Sequence, residues 1–189
     1  MNTAISTIKI GNKILYKKKI WIITKQPRHV KPGKGIAYVQ IELKNLINKN
    51  KISERFNSNS RVELIQLEKK NYKFLYLDKK SLIMMDIKTY EQISISLELL
   101  EDKLPLLQNN MIVSIEFYNE NPVCVHLPQT ISLKIKKTDP VIKRASSTLS
   151  YKRAILEGNI QVSIPSYLVE GEKIIIKTKN YSYVERHKI

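Results

Sequence analysis

The chain has 189 residues, of which 33 are Lys or Arg and 17 are Asp or Glu, so its formal net charge at pH 7 is +16. Hydrophobic residues make up 42% and charged residues 26%, which excludes a disordered tail, and no apolar run approaches the ~20 residues of a membrane-spanning helix. The single cysteine, Cys124, excludes an internal disulfide, and the wide spacing of His29, His126 and His187 argues against a metal site, so we expect no bound cofactor.

The first third of the chain predicts a small curved β-sheet or barrel. Short alternating segments predict strands at 7–10, 13–16, 20–24, 37–43 and 52–56. Gly11-Asn12 and residues 48–50 have the composition of turns.

The middle block predicts further strands and a helical interruption. Strands are expected at 62–68, 73–77, 81–85, 111–117 and 123–126. Residues 90–109 carry apolar side chains at helical spacing, and Pro105 breaks any single long helix, so this segment predicts short helices.

The last block repeats a five-strand pattern. Leu133 and Ile135 alternate with polar residues, and further strands are predicted at 153–157, 160–164, 173–178 and 183–186. Two successive five-strand modules after a first β module are typical of oligonucleotide-binding (OB) barrels. We therefore predict a mainly all-β protein with domains at 1–61, 62–128 and 129–189.

The excess of positive charge predicts an anionic partner. RNA or the ribosome is the first choice, because clustered lysines and arginines attract phosphates. A second explanation is that an AT-rich genome enriches lysine, together with isoleucine and asparagine, on a solvated surface. The charge alone leaves both explanations open.

The most informative motif is the run Lys31-Pro32-Gly33-Lys34-Gly35, which predicts the tip of a long hairpin between strands 20–24 and 37–43. Pro32 fixes its own φ and restricts Lys31, whereas Gly33 and Gly35 can take positive φ and add no side chain. Lys34 is therefore expected to stand alone and accessible to a partner or a modifying enzyme. The spacing by itself favours a simpler alternative, a solvated turn with solubilising lysines.

Three segments resemble the elongation factor P family. Residues 30–35, followed by Ala37, Leu43, Leu46 and Phe56, resemble its first domain, whose hairpin carries a Lys-Pro-Gly-Lys-Gly apex. Residues 138–140 resemble the Thr-Asp-Pro that opens its third domain. Residues 152–154, Val162, 164–165, Leu168 and Gly171 follow its C-terminal signature in register, and Tyr183-Val184 resembles its Glu-Tyr-Val. The resemblance spans essentially the whole chain.

The sequence departs from the family pattern in three places. Asn159 stands where the signature has glycine, Ile164 replaces a usual valine, and residues 138–151 are basic and rich in serine rather than glycine. Asn tolerates the left-handed conformation best after Gly, so the turn at 159 can be kept. The basic charge also departs from the usually acidic members of the family.

The resemblance implies both a fold and a function. It implies an N-terminal KOW-like, SH3-like barrel followed by two OB-fold barrels, in a non-enzymatic factor that binds both ribosomal subunits between the exit and peptidyl sites. Lys34 would contact the peptidyl-tRNA at polyproline stalls, often after a modification such as β-lysylation by a lysine-modifying enzyme. Lys31, Pro32, Gly33 and Gly35 would shape or flank the RNA contact. The third block could face the small subunit or the tRNA body through Lys143, Arg144, Lys152 and Arg153, but for any one of them a solvated charged face is the simpler interpretation.

The resemblance and the composition also set expectations for location and assembly. Residues 1–10 lack the build of a secretion signal, so we expect a cytoplasmic monomer that does not associate with membranes.

Several rival interpretations remain. The paralogous elongation-factor-P-like proteins usually lack the apex lysine, and the hypusine-containing factor of eukaryotes and archaea lacks the third domain. A general RNA-binding barrel protein would not depend on Lys34. An enzyme is the weakest alternative, because nothing pairs Asp86, Glu91, Glu98 or Glu101 with a base, nucleophile or metal ligand.

Overall fold

The computed structural model describes residues 2–33, 35–140 and 151–187. Within these residues the chain is mainly β-strand, as predicted, with short 3₁₀ helices at Ile5–Thr7, Leu97–Leu99, Glu101–Leu106 and Glu157–Asn159. The strands are β1 Asn2–Ala4, β2 Lys13–Tyr16, β3 Lys19–Ile23, β4 Arg28–Val30, β5 Tyr38–Asn45, β6 Lys51–Asn57, β7 Arg61–Leu64, β8 Glu68–Asp78, β9 Ser81–Asp86, β10 Gln92–Ser96, β11 Ile112–Tyr118, β12 Asn121–His126, β13 Thr130–Thr138, β14 Tyr151–Leu156, β15 Gln161–Pro165, β16 Lys173–Lys177 and β17 Tyr183–Arg186.

The first sheet has the strand order β1-β7-β2-β3-β5-β4, with β6 also paired to β5. In β5 the residues alternate strictly between half-buried and buried, and Val39, Ile41 and Leu43 are almost fully buried. This period of two places one side of the strand in the core. Burying each of these aliphatic side chains stabilises the folded state by about 1.5–3 kcal/mol. β5 also pairs with three strands of the first sheet, β3, β4 and β6.

Two strand predictions near the ends of this sheet are wrong. Residues 7–10 form no strand; instead Ile5 begins a 3₁₀ helix, and both Ile5 and Ile8 are buried. A spacing of three residues places both side chains on one face of a 3₁₀ turn, which a strand would not do. The strand predicted at 62–68 ends at Leu64 as β7, which pairs with β1 and β2 in the first sheet.

The middle sheet has the order β10-β9-β8-β11-β12. The prediction of helix across 90–109 is correct only in its second half, because residues 92–96 form strand β10 paired with β9. In β10 Ile93 and Ile95 alternate with exposed Gln92, Ser94 and Ser96, and this strand period prevails over the helical spacing. Pro105 lies inside the 3₁₀ helix Glu101–Leu106.

The third sheet has the order β15-β14-β13-β16-β17 and confirms the predicted five-strand module. Its core includes Leu133, Ile135, Leu156 and Ile174, each exposed by 2% or less. Asn159 has a φ of 59°, so the asparagine adopts the left-handed conformation expected at this turn.

Packing divides the chain into two compact units, Met1–Lys70 with Ile115–Val125 and Asn71–Ser114 with His126–Ile189. The first unit holds the first sheet, and the second unit holds the third sheet. In the described part of the chain, no helix is both long enough and apolar enough to cross a membrane.

Candidate functional site

The motif at 31–35 lies in the loop between β4 and β5, residues 31–37, which we call the apex loop. The two strands pair through Arg28 with Gln40, His29 with Val39 and Val30 with Tyr38. The predicted hairpin is confirmed. Its short partner strand β4 was not predicted, because three residues with two exposed side chains carry no clear alternation.

The tip of the apex loop is a tight turn. The Gly35 N–H donates a hydrogen bond to the carbonyl oxygen of Pro32 at 3.2 Å. Lys31, Pro32, Gly33, Gly35 and Ile36 are all exposed, and 74% of the Ile36 surface is accessible. Lys34 lies outside the described residues. The structure therefore brings the predicted neighbours of Lys34 together in one exposed turn.

The two glycines of the turn differ in their surroundings. A Cβ atom at Gly35 would lie 2.8 Å from Cγ of Pro32, closer than real Cβ atoms approach a neighbour. A Cβ atom at Gly33 would meet nothing within 4 Å, and the φ of Gly33 is not left-handed. Neither Gly33 nor Gly35 has a left-handed φ, so the turn does not use the positive φ that glycine allows. The requirement for glycine at Gly35 is a close approach to the proline ring.

The base of the apex loop is held by β6 and the residue that follows it. The Ser58 N–H and the Ser58 hydroxyl both donate to the carbonyl oxygen of Ala37, at 3.0 and 2.9 Å. The Arg55 guanidinium lies 5.3 Å from the centre of the Tyr38 ring, at cation–π distance. Sequence reasoning missed Tyr38, Arg55 and Ser58, since these contacts require the pairing of β5 with β6.

Arg28 at the start of β4 and Lys31 in the apex loop are exposed cations. His29, which lies between them, is also exposed. Further along β5, the carboxylate of Glu42 is engaged by Lys25 at 2.8 Å. Glu54 of β6 is likewise engaged by Lys17 at 2.8 Å, and hydrogen bonding to Glu54, followed by Tyr16, raises the pKa of Lys17. This distribution suits an anionic partner.

The RNA-facing residues predicted in the third block lie in the second compact unit. Lys152 is half-buried and its Nζ donates to the Thr138 hydroxyl at 3.3 Å, whereas Arg153 is exposed. Successive strand residues point to opposite faces, so these two cations do not form one patch. Lys143 and Arg144 lie outside the described residues.

Asp86, one of the acidic residues considered for an enzyme, is the last residue of β9. Asp86 is 8% exposed, and its carboxylate accepts hydrogen bonds from the backbone N–H groups of Lys88 and Thr89 at 2.7 and 3.2 Å. This is a side-chain cap of the turn after β9. Asp86 thus has a structural role in this turn.

The sequence did not predict a broad groove in the third sheet. It has a volume of about 1070 Å³ and is lined by residues that include Tyr167, Tyr183 and Arg186. The hydroxyls of Tyr167 and Tyr183 lie 3.3 Å apart. Burial, and then the hydrogen bond with Tyr167, raise the pKa of Tyr183 to about 12.

Three family models match the chain in succession. They are the elongation factor P KOW-like domain over residues 4–62, the elongation factor P OB domain over residues 67–125 and the elongation factor P C-terminal domain over residues 131–186. These matches cover the apex loop and all three sheets.

Relatives and solved structures agree with these models. The elongation factors P of Rickettsia bellii (strain OSU 85-389) and Rickettsia conorii (strain ATCC VR-613 / Malish 7) are 48% and 50% identical over 188 residues, which is 100% of this chain and of each relative. A solved structure of eukaryotic translation initiation factor 5A from Methanococcus jannaschii has a TM-score of 0.52 at 18% identity, covering 66% of this chain and 88% of that one. A translation initiation factor eif-5a family protein from Naegleria fowleri has a TM-score of 0.54 at 15% identity, covering 67% of this chain and 98% of that one. At these identities the structures establish a shared fold.

Proposed function

Because the chain belongs to the elongation factor P family and is therefore a translation factor, we propose that it binds the ribosome between the exit and peptidyl sites and speeds peptide-bond formation at polyproline stalls. Its contact with the peptidyl-tRNA is made through Lys34. The observation that carries this proposal is the exposed turn closed from Gly35 to Pro32, which holds the neighbours of Lys34 at the end of a braced hairpin.

The proposed mechanism is positioning rather than acid–base or nucleophilic chemistry. Proline reacts poorly in peptide transfer, because its ring locks φ and constrains the secondary amine, so the reacting groups rarely align. A cation that holds the acceptor end of the tRNA through its phosphates restores the reactive geometry. Orientation alone can lower a barrier by as much as ~7–11 kcal/mol in well-ordered cases, so the factor needs no reacting group of its own.

Positioning the tRNA end also requires that Lys34 be carried on a rigid support. A positioning group is effective only if its own freedom is restricted before the substrate arrives. The double hydrogen bond from Ser58 to Ala37 and the stacking of Arg55 on Tyr38 supply that restriction at the loop base. The close packing of Gly35 on Pro32 supplies it at the tip.

We further propose that a lysine-modifying enzyme extends Lys34, for example by β-lysylation. An added amine increases the reach of the side chain and offers a second cation to tRNA phosphates. The exposure of residues on both sides of Lys34 favours access by such an enzyme.

The remaining proposals concern organisation. The factor works in the cytoplasm as a monomer of three domains, 1–61, 62–128 and 129–189. The three successive family models support three domains, and the pairing of β7, Arg61–Leu64, in the first sheet favours a first boundary after Leu64.

The test is synthesis of a reporter with three consecutive prolines in a purified translation system. Protein isolated from its native host is compared with its Lys34→Ala variant and with Lys25→Ala. Lys25→Ala is the matched control, because Lys25 is an exposed lysine of the same unit whose ammonium is engaged by Glu42. We expect the native protein and Lys25→Ala to relieve the stall and Lys34→Ala to fail.

The other outcomes separate the alternatives. Full rescue by Lys34→Ala would remove this lysine from the mechanism. If no form relieves the stall while the proline-free reporter is made normally, the proposed function fails and general RNA binding becomes the better account.

A further inference from the structure

A second candidate RNA site lies in the first compact unit, in a groove that we call the lysine-hairpin groove. It has a volume of about 310 Å³, and its lining includes Lys18, Lys19, Ile20, Ile47, Tyr118 and Val123. None of these residues belongs to the apex loop. The volume is at the lower end of the range for ligand sites and suits one nucleotide-sized group.

The floor of the groove is apolar and aromatic. Ile20 and Val123 are buried and pack in one cluster with half-buried Tyr118. Ile47 beside them remains 43% exposed. A nucleobase offers a flat apolar face that can pack on such a floor, and stacking of this kind accepts any base.

The charged residues among the described lining are Lys18 and Lys19, both exposed. The neighbouring Lys17 is engaged by Glu54 at 2.8 Å, and it is absent from the lining. Two ammonium groups beside an apolar floor match a nucleotide, which joins an apolar base to an anionic phosphate.

Lys18 of the groove lies in the tight turn between β2 and β3. Tyr16 pairs with Lys19, so Lys17 and Lys18 form a two-residue turn with φ of 50° and 59°. Asn and Gly fit such a turn with less strain than Lys.

We propose that the lysine-hairpin groove binds one unpaired nucleotide of an RNA strand. The base packs between Ile47, Ile20 and Tyr118, and the adjoining phosphates contact Lys18 and Lys19. This site goes beyond the proposed function, since it requires neither Lys34 nor its modification.

The test measures binding of a fluorescently labelled penta-adenylate to the full-length protein by anisotropy across a salt series. The variants are Lys18→Gln/Lys19→Gln and, for the floor, Ile47→Ser. The matched control is Lys79→Gln/Lys80→Gln, which removes the same charge from another two-residue lysine turn, between Asp78 and Ser81. A second probe has the same phosphates with abasic sugars.

We expect Lys18→Gln/Lys19→Gln to weaken binding several-fold and to reduce the salt slope by about 1.4, the value for two lost phosphate contacts on a single strand. The control pair should leave both quantities nearly unchanged. Ile47→Ser should weaken binding of penta-adenylate and not of the abasic probe. Equal losses in both lysine pairs, equal affinity for both probes, or no measurable binding at low salt would each overturn the proposal.

Discussion

The carbonyl oxygen of Ala37 accepts two hydrogen bonds from Ser58, one from its backbone N–H at 3.0 Å and one from its hydroxyl at 2.9 Å. The register of β5 on β6, in which Tyr38 pairs with Asn57, continues to this pair. Ser58 therefore extends the pairing one step toward the apex loop and fixes the direction in which the chain leaves it.

Ser58→Ala should reduce activity more than stability. The variant keeps the backbone hydrogen bond and loses only the hydroxyl contribution, about 0.5–1.5 kcal/mol. We expect the maximal rate of triproline synthesis to fall while the half-saturating factor concentration changes little, because orientation is lost and binding is kept. Ser58→Thr should restore the rate. Ser53→Ala is the control, since the Ser53 hydroxyl on β6, five residues before Ser58, accepts a hydrogen bond from the Gln40 amide of β5. A loss no larger than that of Ser53→Ala would contradict this role.

Gly35→Ala and Gly33→Ala should differ sharply, although they add the same methyl group to neighbouring positions of one turn. At Gly35 the new Cβ would meet Cγ of Pro32 at 2.8 Å, and at Gly33 it would meet nothing within 4 Å. We expect Gly35→Ala to lower triproline synthesis and Gly33→Ala to retain most of it, with Lys34 modification monitored by mass spectrometry. Equal activities at equal modification would show that the turn need not be tightly packed.

Asn159→Ala should destabilise the third sheet, and Asn159→Gly should not. The φ of Asn159 is 59°, a conformation that costs an ordinary L-residue about 1–2 kcal/mol. Thermal unfolding of the three proteins measures the difference. If alanine and glycine proved equally stable, the left-handed backbone at this position would not be under strain.

Glu116→Gln should destabilise the first compact unit by about 1–3 kcal/mol, because it leaves the partly buried ammonium of Lys13 without its carboxylate. Lys13 Nζ and Glu116 Oε2 lie 2.7 Å apart, with only 22% and 15% of the side chains exposed. The variant Lys13→Met with Glu116→Leu should recover part of the loss, since neither charge is then buried alone. Denaturant unfolding of Lys13→Met, Glu116→Leu and the double variant tests the coupling, and additive losses would contradict it.

Tyr183 should stabilise the fold at neutral pH and lose that contribution in strong alkali. Its pKa is raised from 10.0 to about 12, so the folded state prefers the neutral phenol. The contribution is complete below pH 10 and is lost as the pH rises through 12. Tyr167→Phe should lower the pKa of Tyr183, because it removes the hydrogen bond between the two hydroxyls. NMR titration of tyrosines labelled at the ring carbon follows the change, and an unaltered pKa in Tyr167→Phe would exclude coupling between the two hydroxyls.

The sequence alone predicted elements whose pattern is local. Alternation of period two predicted the strands of the third sheet, because one side of each strand must face the core. The run at 31–35 predicted the hairpin, and Asn159 predicted a left-handed turn, since proline, glycine and asparagine act on their own backbone. The same residues carried the resemblance to the family.

Only the tertiary structure decided how distant segments meet. The strand β10 overrode a helical spacing because β9 pairs with it. The contacts of Ser58 with Ala37 and of Lys13 with Glu116 join residues that are 21 and 103 positions apart. The lysine-hairpin groove likewise combines residues from well-separated strands. Such contacts depend on strand order and register, which the pairing of whole sheets determines and no local pattern of residues encodes.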